Sequence, residues 1–250
     1  MENTTTIALS QLVARQRAMD VSANNLANAS TPGYRAERMQ FSDWLVREPA
    51  TADSTALPPG GRLLAYTQDR ATYRDLQPGP MTATANPLDL ALGAAQGFFT
   101  LMTPQGPRLT RAGHFERAPD GSVVDSAGNK LLDTAGRPIQ LSTADVAISV
   151  SSDGVISSQN GQIGKIGVVA PSDPNTLSAE GNRLFAATSP TSQVATPQIS
   201  QGMLEQSNVQ PILEMVDMMR GQRNFEMTSQ MITAESDRQQ SAIDKITQRN

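Results

Sequence analysis

A chain of 250 residues with 38% hydrophobic and 4% aromatic side chains can bury one sizeable core, but is too lean in apolar surface to bury its whole length. Its net charge of −4, with no lysine or arginine run, argues against nucleic acid and an anionic membrane surface as main partners, since both need clustered cations. Without cysteine, disulfides and thiolate redox or metal chemistry are excluded.

The first residues, MENTTTIALSQLVARQRAMD, have neither a basic n-region nor an apolar h-region, so no cleaved secretory signal is expected. No apolar run approaches the ~20 residues of a membrane span. The first predicted element is an amphipathic helix over roughly Thr6–Asn28. Leu12, Met19 and Leu26 recur every seven residues, and Leu9, Gln16 and Ala23 form a second row three residues ahead. That is the narrow stripe of a coiled-coil-like helix, with Gln16 as a polar interruption. Thr31-Pro32-Gly33 ends it, because proline disfavours helix at the preceding residue and Pro-Gly suits a type II turn.

An irregular stretch carrying Tyr34, Phe41 and Trp44 follows, then a proline- and glycine-bearing connector from Glu48 to Arg62. From about Leu88 to Phe185 the period is two: Leu88, Leu90 and Leu92 alternate, as do Val146, Ile148 and Val150, and Ile166 and Val168. Turn signals recur at Asp120-Gly121, Gly128-Asn129, Ala135-Gly136, Asp153-Gly154 and Asn160-Gly161. Short strands between such turns predict an antiparallel β domain. Pro171 to Ser200 reads as irregular, with one strand at Arg183–Ala186.

Asn208 reads as the N-cap of a last helix, with Pro211 in its first turn and its end near Thr247. At 1.5 Å per residue such a helix is about 55–60 Å long, more than a small β core covers. Met218, Phe225, Ile232, Gln239 and Ile246 repeat every seven residues, beside the row Met215, Gln222, Ser229, Ser236 and Ile243. Ile212, Val216 and Met219 broaden the stripe. A helix with a narrow stripe is marginal alone. The two terminal helices are therefore expected to pair with each other and with neighbouring molecules, and to be largely disordered beforehand.

The expected fold class is mixed α and β: long N- and C-terminal helices pairing as a coiled-coil-like element, with a central antiparallel β domain. The expected divisions are 1–34 (helix and turn), 35–87 (extended linker), 88–200 (β domain) and 201–250 (last helix).

Little reads as chemistry. The single histidine, His114, sits in a turn without a second ligand nearby, and reads as a surface or strand-end residue. Asp89, Asp120, Asp125 and Asp133 match no calcium loop and read as turn aspartates. The stretch GAAQG (93–97) lacks the setting of a nucleotide loop. No nucleophile–base arrangement is visible, so no catalytic residue, metal or cofactor is expected.

Ser22-Ala23-Asn24-Asn25-Leu26-Ala27-Asn28-Ala29-Ser30-Thr31-Pro32-Gly33-Tyr34 resembles the N-terminal signature of the flagellar rod and hook proteins. The run Gln201-Gly202-Met203-Leu204-Glu205-Gln206-Ser207-Asn208 resembles the segment before that family's last helix. Asn86-Pro87-Leu88-Asp89-Leu90 and Thr110-Arg111-Ala112-Gly113-His114 carry the likeness into the β zone. Length and the N-terminal run are most similar to the proximal-rod type, with the distal-rod type as runner-up and a non-flagellar β-domain binding module as the outside alternative. For that module, Trp44, Tyr66 and Tyr73 fall in the linker and not in the β repeats.

The resemblance implies a structural subunit of the tubular basal-body rod, not an enzyme. It implies other proximal and distal rod subunits and the flagellar type III export apparatus as partners. It places the chain in the periplasmic rod, exported without a cleaved signal. The residues expected at subunit interfaces are Leu9, Leu12, Gln16, Met19, Ala23, Asn24, Asn25, Leu26 and Asn28 at one end. At the other they are Met215, Met218, Met219, Arg223, Phe225, Ile232 and Ile243. Alone, the asparagines read as a helix terminus. Within the whole signature they read as contacts, with capping alongside. Methionine suits a helix with several non-identical neighbours.

Overall fold

A computed structural model describes residues 2–48, 62–94, 96–173, 176–181 and 183–247. Helix α1 (Glu2–Ala27) leads into strands β1 (Glu37–Glu48) and β2 (Arg62–Arg74). Then come β3 (Met81–Ala83), β4 (Leu90–Leu92), β5 (Phe98–Thr103), β6 (Gly106–Thr110), β7 (Phe115–Arg117), β8 (Val123–Asp125) and β9 (Lys130–Leu131). These are followed by β10 (Ile148–Val150), β11 (Val155–Ser158), β12 (Gly161–Lys165), β13 (Val168–Pro171), β14 (Leu177–Ala179), β15 (Leu184–Ala187) and β16 (Thr191–Gln193). The chain closes with β17 (Ile199–Gln201), β18 (Met203–Glu205) and helix α2 (Pro211–Thr247).

Two compact units result. A helical unit takes Met1–Leu26, Glu37–Tyr73 and Gln210–Asn250, and a β unit takes Ala27–Ala36 and Arg74–Val209. Mixed α and β with a central antiparallel β domain is therefore the architecture. In the β unit the largest sheet runs β14-β15-β6-β5-β9-β8-β7, with β13 pairing both β5 and β16. A three-stranded sheet β10-β11-β12 and the pairs β17-β4 and β18-β3 complete it.

Strand β5 shows why the core sits where it does. Phe99 and Leu101 alternate onto one face, and Phe98 points to the other. Phe99 and Leu101 join Leu90, Leu92, Phe115, Leu131 and Ile166 in the main core, where the rings of Phe99 and Phe115 meet edge to face at 5.4 Å. On the other face Phe98 meets Phe185, at 5.7 Å, and Leu109. Burial of this order supplies most of what folds the unit.

The turn glycines sit where the Asx-Gly pairs predict. Gly121 and Gly154 take φ of 83° and 86°, a region that side chains other than glycine enter at a cost. Asp120 accepts from the Ser122 N–H at 3.0 Å, and Asp133 from Ala135 at 2.8 Å, as turn aspartates do. Asp89 is different. It is buried, and its Oδ1 lies 2.7 Å from His114 Nδ1, so the lone histidine spans an isolated bridge to it.

Other expectations are corrected. Val146 is 84% exposed and precedes β10, because the alternation of Val146 with Ile148 and Val150 spans a loop end. Asn208 does not cap α2: its side chain accepts from Ala36 N–H at 2.7 Å and donates to the Asp75 and Gln77 carbonyls. Between Pro171 and Ser200 there are β14 and β16 besides β15. These edge strands are largely exposed, so no apolar alternation announces them. Strands β1 and β2 pair within 35–87, where an extended linker is expected, and carry Trp44, Tyr66 and Tyr73. The greater part of the expected Glu48–Arg62 connector, 49–61, lies outside the described residues.

Asp145 closes the loop before β10. It accepts from Ser158 Oγ at 2.6 Å, Asn160 Nδ2 at 2.9 Å and the Ser142 N–H at 2.8 Å, and these bonds hold its carboxyl below the ordinary 3.8. Asp120, paired with Lys130 at 2.8 Å, is shifted the same way. A depressed folded pKa gives stability that is present above the unfolded value and lost as pH falls through the folded one. Urea midpoints of the wild type are therefore expected to hold down to about pH 4 and fall below it, and Asp145→Asn to flatten that fall. Parallel acid limbs for the two proteins would contradict the assignment.

Candidate subunit interface

Helix α1 ends where its asparagines begin to bond elsewhere. Asn25 is fully buried; its Nδ2 donates to the Glu37 carbonyl and its Oδ1 accepts the Glu37 N–H, both at 2.9 Å. One amide thus holds the first residue of β1 as a neighbouring strand would. The Thr31 N–H donates to the Asn28 carbonyl at 3.1 Å and its hydroxyl bonds the Asn28 side chain at 3.3 Å, which forms the turn. Asn24 stays exposed. Gly33, at φ 72°, lies so close to Ala112 that a Cβ would stand 2.5 Å from its nitrogen.

Next to the clamped Glu37, Arg38 donates to Glu214 in the first turns of α2 at 2.6 Å. Glu214 is buried while Arg38 is partly exposed. Where α2 passes α1 it carries Gly221, and a Cβ there would come within 2.9 Å of Met19 Cγ. Around this crossing a groove of about 340 Å³ opens, lined by Arg15, Met19 and Ser22 of α1, Phe41 of β1, and Asp217 and Asn224 of α2.

The two heptad rows of each helix have different fates. On α1, Leu12, Met19 and Leu26 are half-buried, whereas Leu9, Gln16 and Ala23 are exposed. The most covered positions, Ala8, Ala14 and Asn25, lie beside the predicted row and not on it. On α2, Met218, Phe225, Ile232 and Gln239 are half-buried, whereas Met215, Gln222, Ser229, Ser236 and Ile243 are exposed, as is Arg223. Met219, Met227 and Met231 extend the uncovered apolar surface of α2, each at least half exposed. For large apolar side chains, uncovered surface of this extent marks a binding face more often than a solvent face.

Among the described residues no three carboxylates and histidines come together as metal ligands. No described helix is long and apolar enough to cross a membrane.

Three families match the chain in sequence order. They are the flagella basal body rod protein family at 6–35, the flagellar hook protein FlgE/F/G D1 domain at 94–158, and the flagellar basal body rod FlgEFG protein C-terminal family at 200–245. The flagellar basal-body rod protein FlgF of Caulobacter vibrioides is 34% identical over 248 residues, 98% of each chain. The chain belongs to the flagellar basal-body rod proteins. FlgF of Mesorhizobium japonicum is 29% identical and covers 93% of this chain and 92% of its own. FlgG of Borreliella burgdorferi is 31% identical and covers 90% and 91%. The rod protein described here is thus a FlgF-like structural subunit of the basal body, not an enzyme, and other rod subunits are its neighbours. Its matched segments at 6–35 and 200–245 hold most of α1 and most of α2, the helices with the exposed rows. A non-flagellar binding module has no support beside this membership.

Proposed function

We propose that this rod protein enters the rod through the uncovered rows of its terminal helices: Leu9, Gln16, Ala23 and Asn24 on α1, and Met215, Met219, Arg223 and Ile243 on α2. Met19, Leu12 and Leu26, with Met218, Phe225 and Ile232, form the half-covered rows, which close as coiled-coil-like pairs when neighbours add to them. Asn25 and Asn28 serve the interface indirectly, by fixing the end of α1.

The observation that carries this reading is the exposure of Met215, Met219, Met227 and Met231 along one helix of a folded chain. The helix has 37 residues and is about 55 Å long. The 34% identity to FlgF of Caulobacter vibrioides, against 31% to FlgG of Borreliella burgdorferi, supports a proximal position in the rod. The same reading has the chain pass unfolded through the type III export apparatus, uncleaved, and assemble in the periplasm. The absence of cysteine suits that route.

Because the chain has no cysteine, Met219→Cys introduces the single thiol of the molecule. A maleimide is expected to label it in the purified chain, and at least about tenfold more slowly in isolated basal bodies, where a neighbour covers it. Equal rates in the two states would remove Met219 from the interface.

A further inference from the structure

The β unit buries an ion triad that assembly through the helices leaves unexplained. Arg35, Arg111 and Glu205 are 1%, 1% and 2% exposed. Glu205 Oε1 lies 2.7 Å from Arg35 Nη2, and Oε2 lies 2.9 Å from Arg111 Nη2. The Gly79 N–H donates to Oε1 at 3.1 Å. Arg35 also donates to the Gln77 carbonyl, and Arg111 to the carbonyls of Ala94, at 2.8 Å, and Gly97. Counting only the fully buried groups, two guanidinia face one carboxylate and leave one positive charge in excess, while the half-buried Asp75 also acts on Arg35.

The three residues come from three distant parts of the chain, one from each matched family segment. Burial holds Arg35 below its ordinary value and pulls Arg111 down to about 10, a fall that Glu205 opposes and Arg35 deepens. The two arginines therefore repel each other across the carboxylate. The backbone repeats the arrangement. Gly33 N–H donates to the Glu205 carbonyl at 2.8 Å, and Ala36 N–H to Asn208 Oδ1 at 2.7 Å. Residues 33–36, which follow α1, thus lie directly on 205–208, which precede α2.

We propose that Glu205 is a positioning residue that couples the two ends of the β unit: only with its carboxylate between Arg35 and Arg111 do residues 33–36 lock down, so the segment after α1 settles only when the segment before α2 is in place. A buried pair that loses one partner leaves the other charge uncompensated, which costs far more than the pair contributes. Here the loss would leave two like charges facing each other.

Hydrogen exchange on the purified full chain tests this without reference to rod assembly. In E205Q, the Gly33 and Ala36 amides are expected to exchange at least about tenfold faster, while the core amides of Thr100 and Leu132 change less than about threefold. R35Q/E205Q returns the buried excess to one positive charge, and is expected to exchange at least about threefold more slowly than E205Q at Gly33 and Ala36. Unchanged exchange at these two amides in E205Q overturns the coupling, as does an equal rise throughout the core. A double variant no slower than E205Q overturns the repulsion behind it. If E205Q does not fold, folding of the double variant supports the proposal and its failure to fold refutes it.

Discussion

Gly113→Ala is expected to destabilise the β unit by about 3–5 kcal/mol, and so to lower the melting temperature by roughly 10 °C. A Cβ at Gly113 would stand 1.6 Å from the Leu90 carbonyl oxygen, a backbone atom with no rotamer to retreat into. The Leu90 N–H also donates to the Gly113 carbonyl at 2.9 Å, so the two backbones are bonded across the same contact. Accommodating the methyl means lifting β4 away, and with it Leu90 and Leu92, both buried in the main core. Gly128→Ala is the matched control. It meets no atom within 4 Å, but its φ is 85°, so only the backbone penalty of about 1–2 kcal/mol applies. Thermal unfolding followed by circular dichroism checks the order. If Gly113→Ala melts within about 2 °C of the wild type, the close approach of β4 is wrong.

Met215→Asp/Met219→Asp is expected to have the opposite profile: little change in the free chain and loss of swimming. Both side chains are exposed, so the substitutions remove little intramolecular burial and cost about 1 kcal/mol in helix propensity. In a rod the same positions would place two carboxylates in an apolar seam, where burying an unpaired charge is prohibitive. Soft-agar halos close to those of a deletion strain, with a chain that melts normally, are the expected pair of results. Wild-type halos would show that this face of α2 does not touch a neighbour.

The two experiments separate what stabilises the molecule from what assembles it. Phe99, Leu101 and Gly113 act inside the β unit, where their contacts are made within the chain. Met215, Met219, Met227 and Met231 of α2 are ordered by their own helix and stay exposed among the described residues. The two ends of the sequence are therefore where a rod protein should be tolerant in isolation and intolerant in the rod.

Much of this was legible along the chain. The seven-residue rows of Leu12, Met19 and Leu26, and of Met218, Phe225 and Ile232, place two helices that the structure bounds at Glu2–Ala27 and Pro211–Thr247. Asx-Gly pairs such as Asp120-Gly121 mark turns because side chain and backbone in a short window suffice to form them. The exposed strands β14 and β16 were not legible, since they take pairing partners from elsewhere and bury little of their own.

Sequence by itself determined the two terminal helices, the antiparallel β zone between them, most turn positions and the family, because periodicity, turn chemistry and motif are properties of neighbouring residues. Only the tertiary structure decided which heptad row is covered, that Asn25 clamps Glu37, that Asn208 holds Ala36 and Asp75 and does not cap α2, and that Arg35, Arg111 and Glu205 meet. Those outcomes join residues as far apart as Arg35 and Glu205. They depend on how sheets pack and which buried charge finds a partner, and no local window of the chain encodes that.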